Sequence, residues 1–382
     1  MRVCSLSTVK NRIVLGSPLP FSVRDADRTL LLARGQLICD EDHLEALLAR
    51  GALVDADELA ASMQNQPKAA AAPEAPPPAP VARLPALWDR YADDVRSALT
   101  APGSVAAAAI DTTTDLLLGL IDRAPDVALA QVVRQHASGG HYGVTHSMNS
   151  ATACLAAARH LGWQPDEQRR AFQAALTMNL SMLDLQARLA TQVSPLTAGQ
   201  RAAIREHPTR SAEMLAEAGI TDALWLAAVG RHHELRDGSG YPNGYTDISE
   251  LAELMRFADV YTALLSARSN RPAMSARQAG RELYQMASES SLCAAVIKAF
   301  GIFPPGSCVR LASGEVGVVA RNGDKAYHPH VAALTTADGG VRRTPLMRDS
   351  ARAEHAVVAL LPEHAMPMRL SPETMAGLIA AA

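Results

Sequence analysis

Four histidines and one aspartate in the central part of the chain have the side chains that a metal site needs. They are His146, His207, the adjacent pair His232 and His233, and Asp259. We expect each histidine to lie at the start or end of a helix, because the surrounding apolar residues recur at helical spacing. Imidazole and carboxylate are ligands for iron, manganese and similar ions, and a helical bundle can gather them from several helices. The set therefore predicts a candidate metal centre.

The adjacent histidines belong to the segment RHHELRDGSGYPNG, residues 231–244. Its glycines and proline predict a rigid loop in which the backbone can approach a ligand closely. The residues alone leave two explanations open. The histidines either bind a metal ion or are satisfied by hydrogen bonds within the core of a helical domain.

The composition limits the classes of function. The formal net charge is -3, with 36 Lys and Arg against 39 Asp and Glu, which gives no bulk electrostatic reason to bind nucleic acid or an anionic membrane. The five cysteines are scattered and never form a Cys-x-x-Cys pair, so we expect neither a disulfide framework nor a thiolate zinc site. No segment reaches the ~18 apolar residues of a membrane span, and no signal-peptide core is visible. We expect a cytoplasmic protein.

The elements that must position these residues are predicted to be mainly α-helical. Apolar residues recur at helical spacing from Leu84 to about Phe300. Gly162 is expected to end one helix and Pro165 to start the next, and Gly219 is expected to end another.

Apolar runs separated by turn residues flank the helical region on both sides and predict short strands. We therefore expect four segments. They are a small β-rich N-terminal module at residues 1–62, an Ala/Pro-rich linker at 63–83, a helical domain at 84–300 and a small β-rich C-terminal extension at 301–382. The extension is predicted to be an antiparallel meander followed by a frayed helix.

The segment HHELRDGSGYP resembles the HHExxDGxGYP signature of HD-GYP domains, a branch of the HD metal-dependent phosphohydrolases. Members of this family hydrolyse the bacterial second messenger cyclic di-GMP. The resemblance extends from the predicted helix around His146 through the helix of Asp259 to the strand-rich segment GIFPPGSCVRLASGEVGVV. It implies an HD-type helical bundle with small β-rich modules at the N- and C-termini.

The resemblance also implies a role for each matching residue. The five residues of the candidate metal centre fall on metal-ligand positions, with iron or manganese as the metal. Gly240, Tyr241 and Pro242 form the loop that names the family, and Arg268 and Arg271 match basic positions that hold the nucleotide phosphates. A guanidinium group suits that task because it can pair with two phosphate oxygens. The implied ligand is cyclic di-GMP, and an implied partner is a diguanylate cyclase or another signalling domain that contacts the loop.

One segment departs from the family. Where HD-GYP proteins have an adjacent His and Asp in a helix resembling LLHDIGK, this chain has Met178 and Asn179, followed by Met182 in place of the Lys. Asn offers a neutral oxygen and Met a soft thioether, so neither replaces a carboxylate that bridges two metal ions. On a continuous helix Asp184 points about 140° away from Asn179 and does not substitute for it. A Glu that supports a third metal in some relatives is replaced by Tyr142.

The departure bears directly on activity. Two-metal hydrolysis relies on a closely spaced pair of ions to activate water and stabilise the developing charge. We expect one bound ion or none rather than two, and weak or lost phosphodiesterase activity. The protein would then act as a nucleotide-binding or protein-interaction regulator. The alternative is an active metal-dependent cyclic di-GMP phosphodiesterase with an altered metal centre, in which Asp259 is catalytic.

Overall fold

A computed structural model describes residues 3–13, 19–36, 38, 41–59, 81–100, 107–134, 141–269 and 271–381. The chain divides into two compact units, residues 1–78 and 79–382. The predicted Ala/Pro-rich linker at residues 63–83 lies outside the described residues except for its last three, which form a short 3-10 helix. The predicted segment boundaries therefore stay predictions.

The N-terminal unit contains a small antiparallel sheet. Its strands are β1 (Val3–Ser5), β2 (Val23–Arg24), β3 (Leu30–Leu32) and β4 (Leu53–Asp55), in the order β1-β4-β2-β3. Helix α1 (Glu41–Ala49) lies between β3 and β4 in the chain. Buried apolar side chains of the sheet, the helix and the connecting segments, among them Phe21, Val23, Leu44 and Val54, form a core of their own.

The second unit is built around a bundle of helices. They are α2 (Leu84–Thr100), α3 (Ala107–Arg123), α4 (Pro125–Arg134), α5 (Tyr142–His160), α6 (Pro165–Thr177), α7 (Leu183–Thr191), α8 (Ala198–Glu217), α9 (Ala223–Arg231), α10 (Glu250–Leu265), α11 (Ala276–Met286) and α12 (Ser291–Phe300). Helix α5 packs against α6, α10 and α12 and is buried over most of its length. The prediction of a mainly α-helical fold is confirmed.

The helix ends follow from local sequence. Gly162 adopts a φ of 74° after α5, and Pro165 is the first residue of α6, as predicted. Gly219 ends α8 with a φ of 91°, a conformation that favours glycine. At the other end of α8, Thr197 and Gln200 form a reciprocal capping box. These signals are local, which explains why they are legible in the sequence.

The second unit ends in an antiparallel sheet. Its strands are β5 (Cys308–Leu311), β6 (Val316–Arg321), β7 (His330–Thr335), β8 (Val341–Asp349) and β9 (Val357–Leu360), in the order β8-β7-β6-β5-β9. Strands β5 to β8 form the predicted meander, and β9 returns to pair with β5. The small β-rich module predicted at this end of the chain is confirmed.

A buried ion cluster ties the turn between β5 and β6 to the edge strand β8. Glu315 is only 2% exposed and accepts hydrogen bonds from Arg348 at 2.7 and 2.9 Å and from Arg342 at 2.8 Å. The hydrogen bond from Arg348 is the largest effect on the Glu315 carboxyl, and it lowers the pKa to about 2 against the opposing effect of burial.

The C-terminal helix α13 (Pro372–Ala380) is not frayed, so that part of the prediction is wrong. Ser371 caps its N-terminus, and Met375, Ala376 and Ile379 are buried in the same apolar core as the helical bundle. Burial of this face stabilises a short helix that its sequence alone would leave marginal. Within the described ranges, no helix combines the length and apolar character that crossing a membrane requires.

Candidate metal centre

His146 and Asp259 meet in the interior of the bundle. His146 lies near the start of α5 and Asp259 within α10, and a contact of 2.7 Å joins Nε2 of the histidine to Oδ1 of the aspartate. Burial alone would raise the pKa of the Asp259 carboxyl, but the hydrogen bond and favourable electrostatics with His146 hold it well below its usual range. Asp259 is therefore ionised, and Nε2 of His146 donates to it.

His207 lies in the middle of α8, not at a helix start as predicted. The next residue, Pro208, has no backbone N–H, so the carbonyl of Ile204 lacks its usual partner four residues later in the helix. Nδ1 of His207 donates a hydrogen bond of 2.6 Å to this carbonyl. The prediction failed because a proline usually marks a helix start, whereas here the histidine satisfies the carbonyl that the proline leaves free.

His232 and His233 directly follow α9. Nδ1 of His232 donates a hydrogen bond of 2.7 Å to the carbonyl of Val229, one of the last carbonyls of that helix. The Nε2 atoms of His207 and His232 therefore both carry lone pairs, and they lie 3.2 Å apart. Two lone pairs facing each other at this distance repel unless a cation lies between them.

This donor set fits a metal ion. Metal–nitrogen bonds of about 2.1 Å, at angles of about 90 to 109°, place two nitrogens about 3.0 to 3.4 Å apart. The 3.2 Å separation of His207 and His232 falls within that range. Ligand atoms of His207, His232 and His233 all lie within 4.8 Å of one another. The three histidines can therefore hold one divalent ion.

Burial keeps these histidines in the form that binds metals. Loss of hydration, followed by the charge of His232, lowers the pKa of His207 to about 3. Burial also lowers the pKa of His232 and holds the pKa of His233 well below its usual range. All three imidazoles are thus neutral near pH 7, with a lone pair available for coordination.

A cavity of about 160 Å³ lies beside the histidines. Asp259 is the single carboxylate among its described lining residues, and Arg268 is the single arginine. Small-molecule sites usually span about 300–1,000 Å³, so this cavity can enclose a phosphate-sized group but not a whole dinucleotide.

Arg268 is held at the cavity by Tyr142. Its Nε atom donates a hydrogen bond of 3.2 Å to the phenol oxygen, and its guanidinium carbon lies 5.7 Å from the ring centre. The ring of Tyr142 in turn stacks on His146, with centroids 5.9 Å apart and planes inclined by 6°. This stack places a fixed positive charge near the pair of His146 and Asp259.

The Gly-Tyr-Pro loop packs against the histidines. Tyr241 stacks on His233 with 4.6 Å between ring centroids, and its N–H donates to the His233 carbonyl at 3.1 Å. The next peptide bond, to Pro242, is cis. A Cβ atom at Gly240 would lie 2.4 Å from the backbone nitrogen of Leu235, so only glycine fits.

Comparisons with known proteins bear on this site. Residues 129–292, which contain all five predicted ligands, match the family model for the HD domain. The chain is 30% identical over 258 residues to cyclic di-GMP phosphodiesterase PA4108 of Pseudomonas aeruginosa, a match that covers 66% of this chain and 62% of that protein. The HD-domain match and the similarity to this phosphodiesterase support an HD-GYP-family protein.

The chain resembles two further proteins. It is 26% identical over 193 residues to 3'3'-cGAMP-specific phosphodiesterase 1 of Vibrio cholerae serotype O1, covering 50% of this chain and 40% of that protein. It therefore spans less than two thirds of the length of either curated relative. A solved structure, Bd1817, an HDG"Y"P protein from Bdellovibrio bacteriovorus, matches with a TM-score of 0.48 and 17% identity over 77% of this chain and 97% of that chain.

The segment that the resemblance aligns with the His-Asp dyad of HD-GYP proteins is not one continuous helix. Helix α6 ends at Thr177, and a 3-10 turn at Leu180–Met182 precedes α7. Met178 is fully buried in the apolar core, whereas Asn179 and Met182 line the cavity. The Nδ2 atom of Asn179 has no hydrogen-bond partner among the residues that the structure describes.

Asp184 does not supply a second carboxylate to the cavity. The predicted angle assumed a continuous helix, which the 3-10 turn contradicts, but the side chain is also 75% exposed and is not part of the cavity. Its Oδ1 atom instead lies 2.9 Å from Nε2 of His141.

Arg271 is not brought to the cavity. Its Nη2 atom donates to the carbonyl of Ala263 in the last turn of α10, where a cation is favourable at the carbonyl end of the helix. Of the two predicted phosphate contacts, the structure therefore places only Arg268 at the cavity, and the role of Arg271 stays a prediction.

Two further residues of the site were given no role from the sequence. Gln186 lines the cavity, and its Oε1 atom has no partner in the described part of the chain. It lies in α7 with Leu189 and Ala190, which also line the cavity, so a lone polar residue in an apolar stripe was the available signal. Glu234 is 1% exposed and accepts hydrogen bonds from the next loop segment, the backbone N–H groups at positions 243 and 244.

Proposed function

We propose that this HD-GYP chain binds a cyclic dinucleotide of the cyclic di-GMP type together with one divalent metal ion, and hydrolyses it slowly or not at all. The observation that carries the proposal is Asn179 in the cavity at the position of the family carboxylate. It leaves Asp259 as the one carboxylate among the described lining residues. The named activities of the two curated relatives support the ligand class.

In this proposal one iron or manganese ion is held by His207, His232 and His233. Such an ion would act as a Lewis acid toward a phosphate oxygen. A second ion is disfavoured because Asp259 alone would offset its charge, and that carboxylate is already hydrogen-bonded to His146. A single ion held by three histidines thus favours binding of the nucleotide over its hydrolysis.

The remaining groups suit a phosphodiester. Phosphate oxygens only accept hydrogen bonds, and the cavity offers donors in the guanidinium of Arg268 and the Nδ2 atom of Asn179. The volume of about 160 Å³ fits one phosphate, so the bases of the dinucleotide would lie outside the enclosed space.

Calorimetric titration of the manganese-loaded chain with cyclic di-GMP tests the ligand. We expect binding, and we expect Arg268→Ala to weaken it roughly tenfold because one charge-assisted hydrogen bond is lost. Arg277→Ala, at an exposed position of α11, is the matched control and should bind like the parent. Absence of binding by the parent chain would reject cyclic di-GMP.

Chromatographic detection of linear products tests turnover. We expect the parent and Asp259→Ala to form product at the same background rate, and Asn179→Asp, which returns a carboxylate to the cavity lining, to be faster by about tenfold or more. Rapid hydrolysis by the parent that Asp259→Ala abolishes would instead support the alternative, an active phosphodiesterase with an altered centre.

Docking of a diguanylate cyclase or another signalling domain on the Gly-Tyr-Pro loop stays a prediction. Tyr241 is stacked on His233 within the site, so a partner would have to contact exposed residues that follow it, such as Tyr245. Tyr245 is 47% exposed and lies under the guanidinium of Arg231. Replacement of residues 243–246 should remove such a partner from a pull-down, and an unchanged pull-down would contradict the prediction.

A further inference from the structure

A second and larger cavity lies between the helical bundle and the C-terminal sheet. Its volume is about 710 Å³, and it shares no lining residue with the metal centre. This volume falls within the range of about 300–1,000 Å³ that is usual for small-molecule sites. Buried apolar side chains of three helices, Ile121, Leu129 and Leu155, form its floor together with Ala156.

One wall of this cavity is the connection between β6 and β7, residues 322–326. Hydrogen bonds hold the wall against the end of α12. Nδ2 of Asn322 donates to the carbonyl of Ala299 at 3.0 Å, and the N–H of Ile302 donates to the carbonyl of Ala326 at 2.8 Å. The cavity is therefore preformed rather than dependent on a ligand for its shape.

The rim of the cavity is mostly basic. Arg159, His160, Lys298 and Lys325 line it, against the acidic residues Asp126 and Asp324. Arg159 is already paired with Asp122 outside the cavity.

The two lysines are the available cations. Neither Lys298 nor Lys325 has an ion-pair partner among the described residues, and both are exposed. The whole sequence contains only four lysines, at positions 10, 68, 298 and 325, so half of them line this one cavity. An apolar floor below free ammonium groups matches a molecule that is apolar at one end and anionic at the other.

We propose that this cavity binds a small organic anion, whose apolar body lies on Leu129, Leu155 and their neighbours and whose phosphate or carboxylate pairs with Lys298 and Lys325. This site is separate from the cavity beside the three histidines. It does not depend on whether that cavity binds or hydrolyses a nucleotide.

Pyridoxal 5'-phosphate is a suitable probe because it combines an aromatic body, a phosphate and an aldehyde. The aldehyde condenses with a lysine amine to form an imine and water, and sodium borohydride reduces the imine to a stable amine. Peptide mass spectrometry of the full chain then measures labelling at each lysine.

We expect Lys298 and Lys325 to be labelled roughly tenfold faster than Lys10, an exposed lysine of the N-terminal unit, because a charge-assisted hydrogen bond to the second lysine holds the phosphate. Pyridoxal, which lacks the phosphate, should label the three lysines at similar rates. Equal labelling of the three by pyridoxal 5'-phosphate would overturn the proposal.

The variant Ala156→Phe tests the floor while leaving both lysines in place. It should reduce labelling of Lys298 and Lys325 to the rate of Lys10, whereas Ala216→Phe, at an exposed position of α8, should have no effect. If Ala156→Phe does not fold, excess pyridoxine 5'-phosphate provides the same test in the parent chain. It should slow labelling of the two cavity lysines but not of Lys10, and unchanged labelling in either experiment would refute the site.

Discussion

At the scale of single residues, the orientation of a histidine depends on what its second ring nitrogen contacts. In His207 and in His232, Nδ1 donates to the carbonyl three residues earlier, and Nε2 is left as the ligand atom. Both carbonyls lack their usual helical partner, one because Pro208 follows and the other because α9 ends. Two different interruptions of a helix therefore orient two ligands in the same way.

Loss of His232 is predicted to remove the metal ion. The variant His232→Ala leaves two imidazoles, which is too few for stable binding of a divalent ion by a site of this kind. Elemental analysis should find one ion per parent chain and background metal in the variant. His364→Ala, an exposed histidine of the second unit, should retain the parent content. Two ions per parent chain would contradict the proposed single-ion site.

The variant Pro208→Ala is predicted to weaken metal binding without unfolding α8. The new backbone N–H would take the carbonyl of Ile204 and leave Nδ1 of His207 without its acceptor. Loss of such a supporting contact usually costs about 10- to 100-fold in metal affinity. Competition with a chelator measures the affinity, and circular dichroism measures the helix. Pro165→Ala at the start of α6 is the control, and equal affinities of the two variants would refute the role of Pro208.

At the scale of elements, the Gly-Tyr-Pro loop is shaped from both sides. Glu234 accepts backbone hydrogen bonds of 2.8 and 3.0 Å at positions 243 and 244, and Tyr241 stacks on His233. Between these contacts the backbone at Gly240 passes so close to Glu234 that a Cβ atom would lie 2.5 Å from its Cα atom. The loop is thus a packed part of the candidate metal centre.

The variant Gly240→Ala is predicted to lower the free energy of unfolding by about 1–3 kcal/mol, the usual cost of overpacking a closely packed position. Gly119→Ala is the matched control, because it lies in α3 with no atom within 4 Å of its added Cβ. That control should gain up to about 1 kcal/mol from the higher helix propensity of alanine. Urea unfolding measures the free energy of unfolding of both variants. A stabilising effect of Gly240→Ala would show that the loop is not tightly packed.

At the scale of the whole molecule, the C-terminal sheet is part of the compact unit that carries the metal centre. The last helix, α13, packs into the apolar core of the bundle, and residues 79–382 form a single unit. Disruption of the buried ion cluster at Glu315 should therefore affect the stability of this unit and not of the sheet alone.

Acid is predicted to remove the stabilisation that Glu315 provides. Its pKa is about 2 in the folded chain, below the value of 4.5 for an unperturbed glutamate. The stabilisation is fully present above the unfolded pKa and is lost as pH falls from about 5 through the folded value. The shift corresponds to on the order of 3 kcal/mol.

Urea unfolding between pH 6 and pH 2 measures this loss. Glu315→Gln should lower stability near pH 6, because Arg342 and Arg348 lose their carboxylate, and should show a smaller further loss on acidification than the parent. Parallel pH profiles of parent and variant would contradict a stabilising role for the ionised carboxylate.

Most of the correct predictions came from local sequence patterns. The helical class, the ends of helices at Gly162 and Gly219 and the family resemblance all depend on residues that are close together in the chain. Two predictions were wrong. His207 lies inside its helix because its own side chain satisfies the carbonyl that Pro208 leaves free, and the C-terminal helix α13 is not frayed because it is buried against the distant bundle. Gln186 was missed because its position at the cavity depends on residues that are distant in the chain.

By itself, then, the sequence predicted a mainly helical protein that resembles HD-GYP domains, with histidines as candidate ligands and no carboxylate at the position that aligns with the dyad, because side-chain type and short-range spacing are written directly in it. Only the tertiary structure decided that three histidines converge while His146 pairs with Asp259, that Arg268 reaches the cavity and Arg271 does not, and that two of four lysines line a second cavity. The physical reason is that each of these outcomes depends on the packing of separate helices, which sets distances that no local pattern contains.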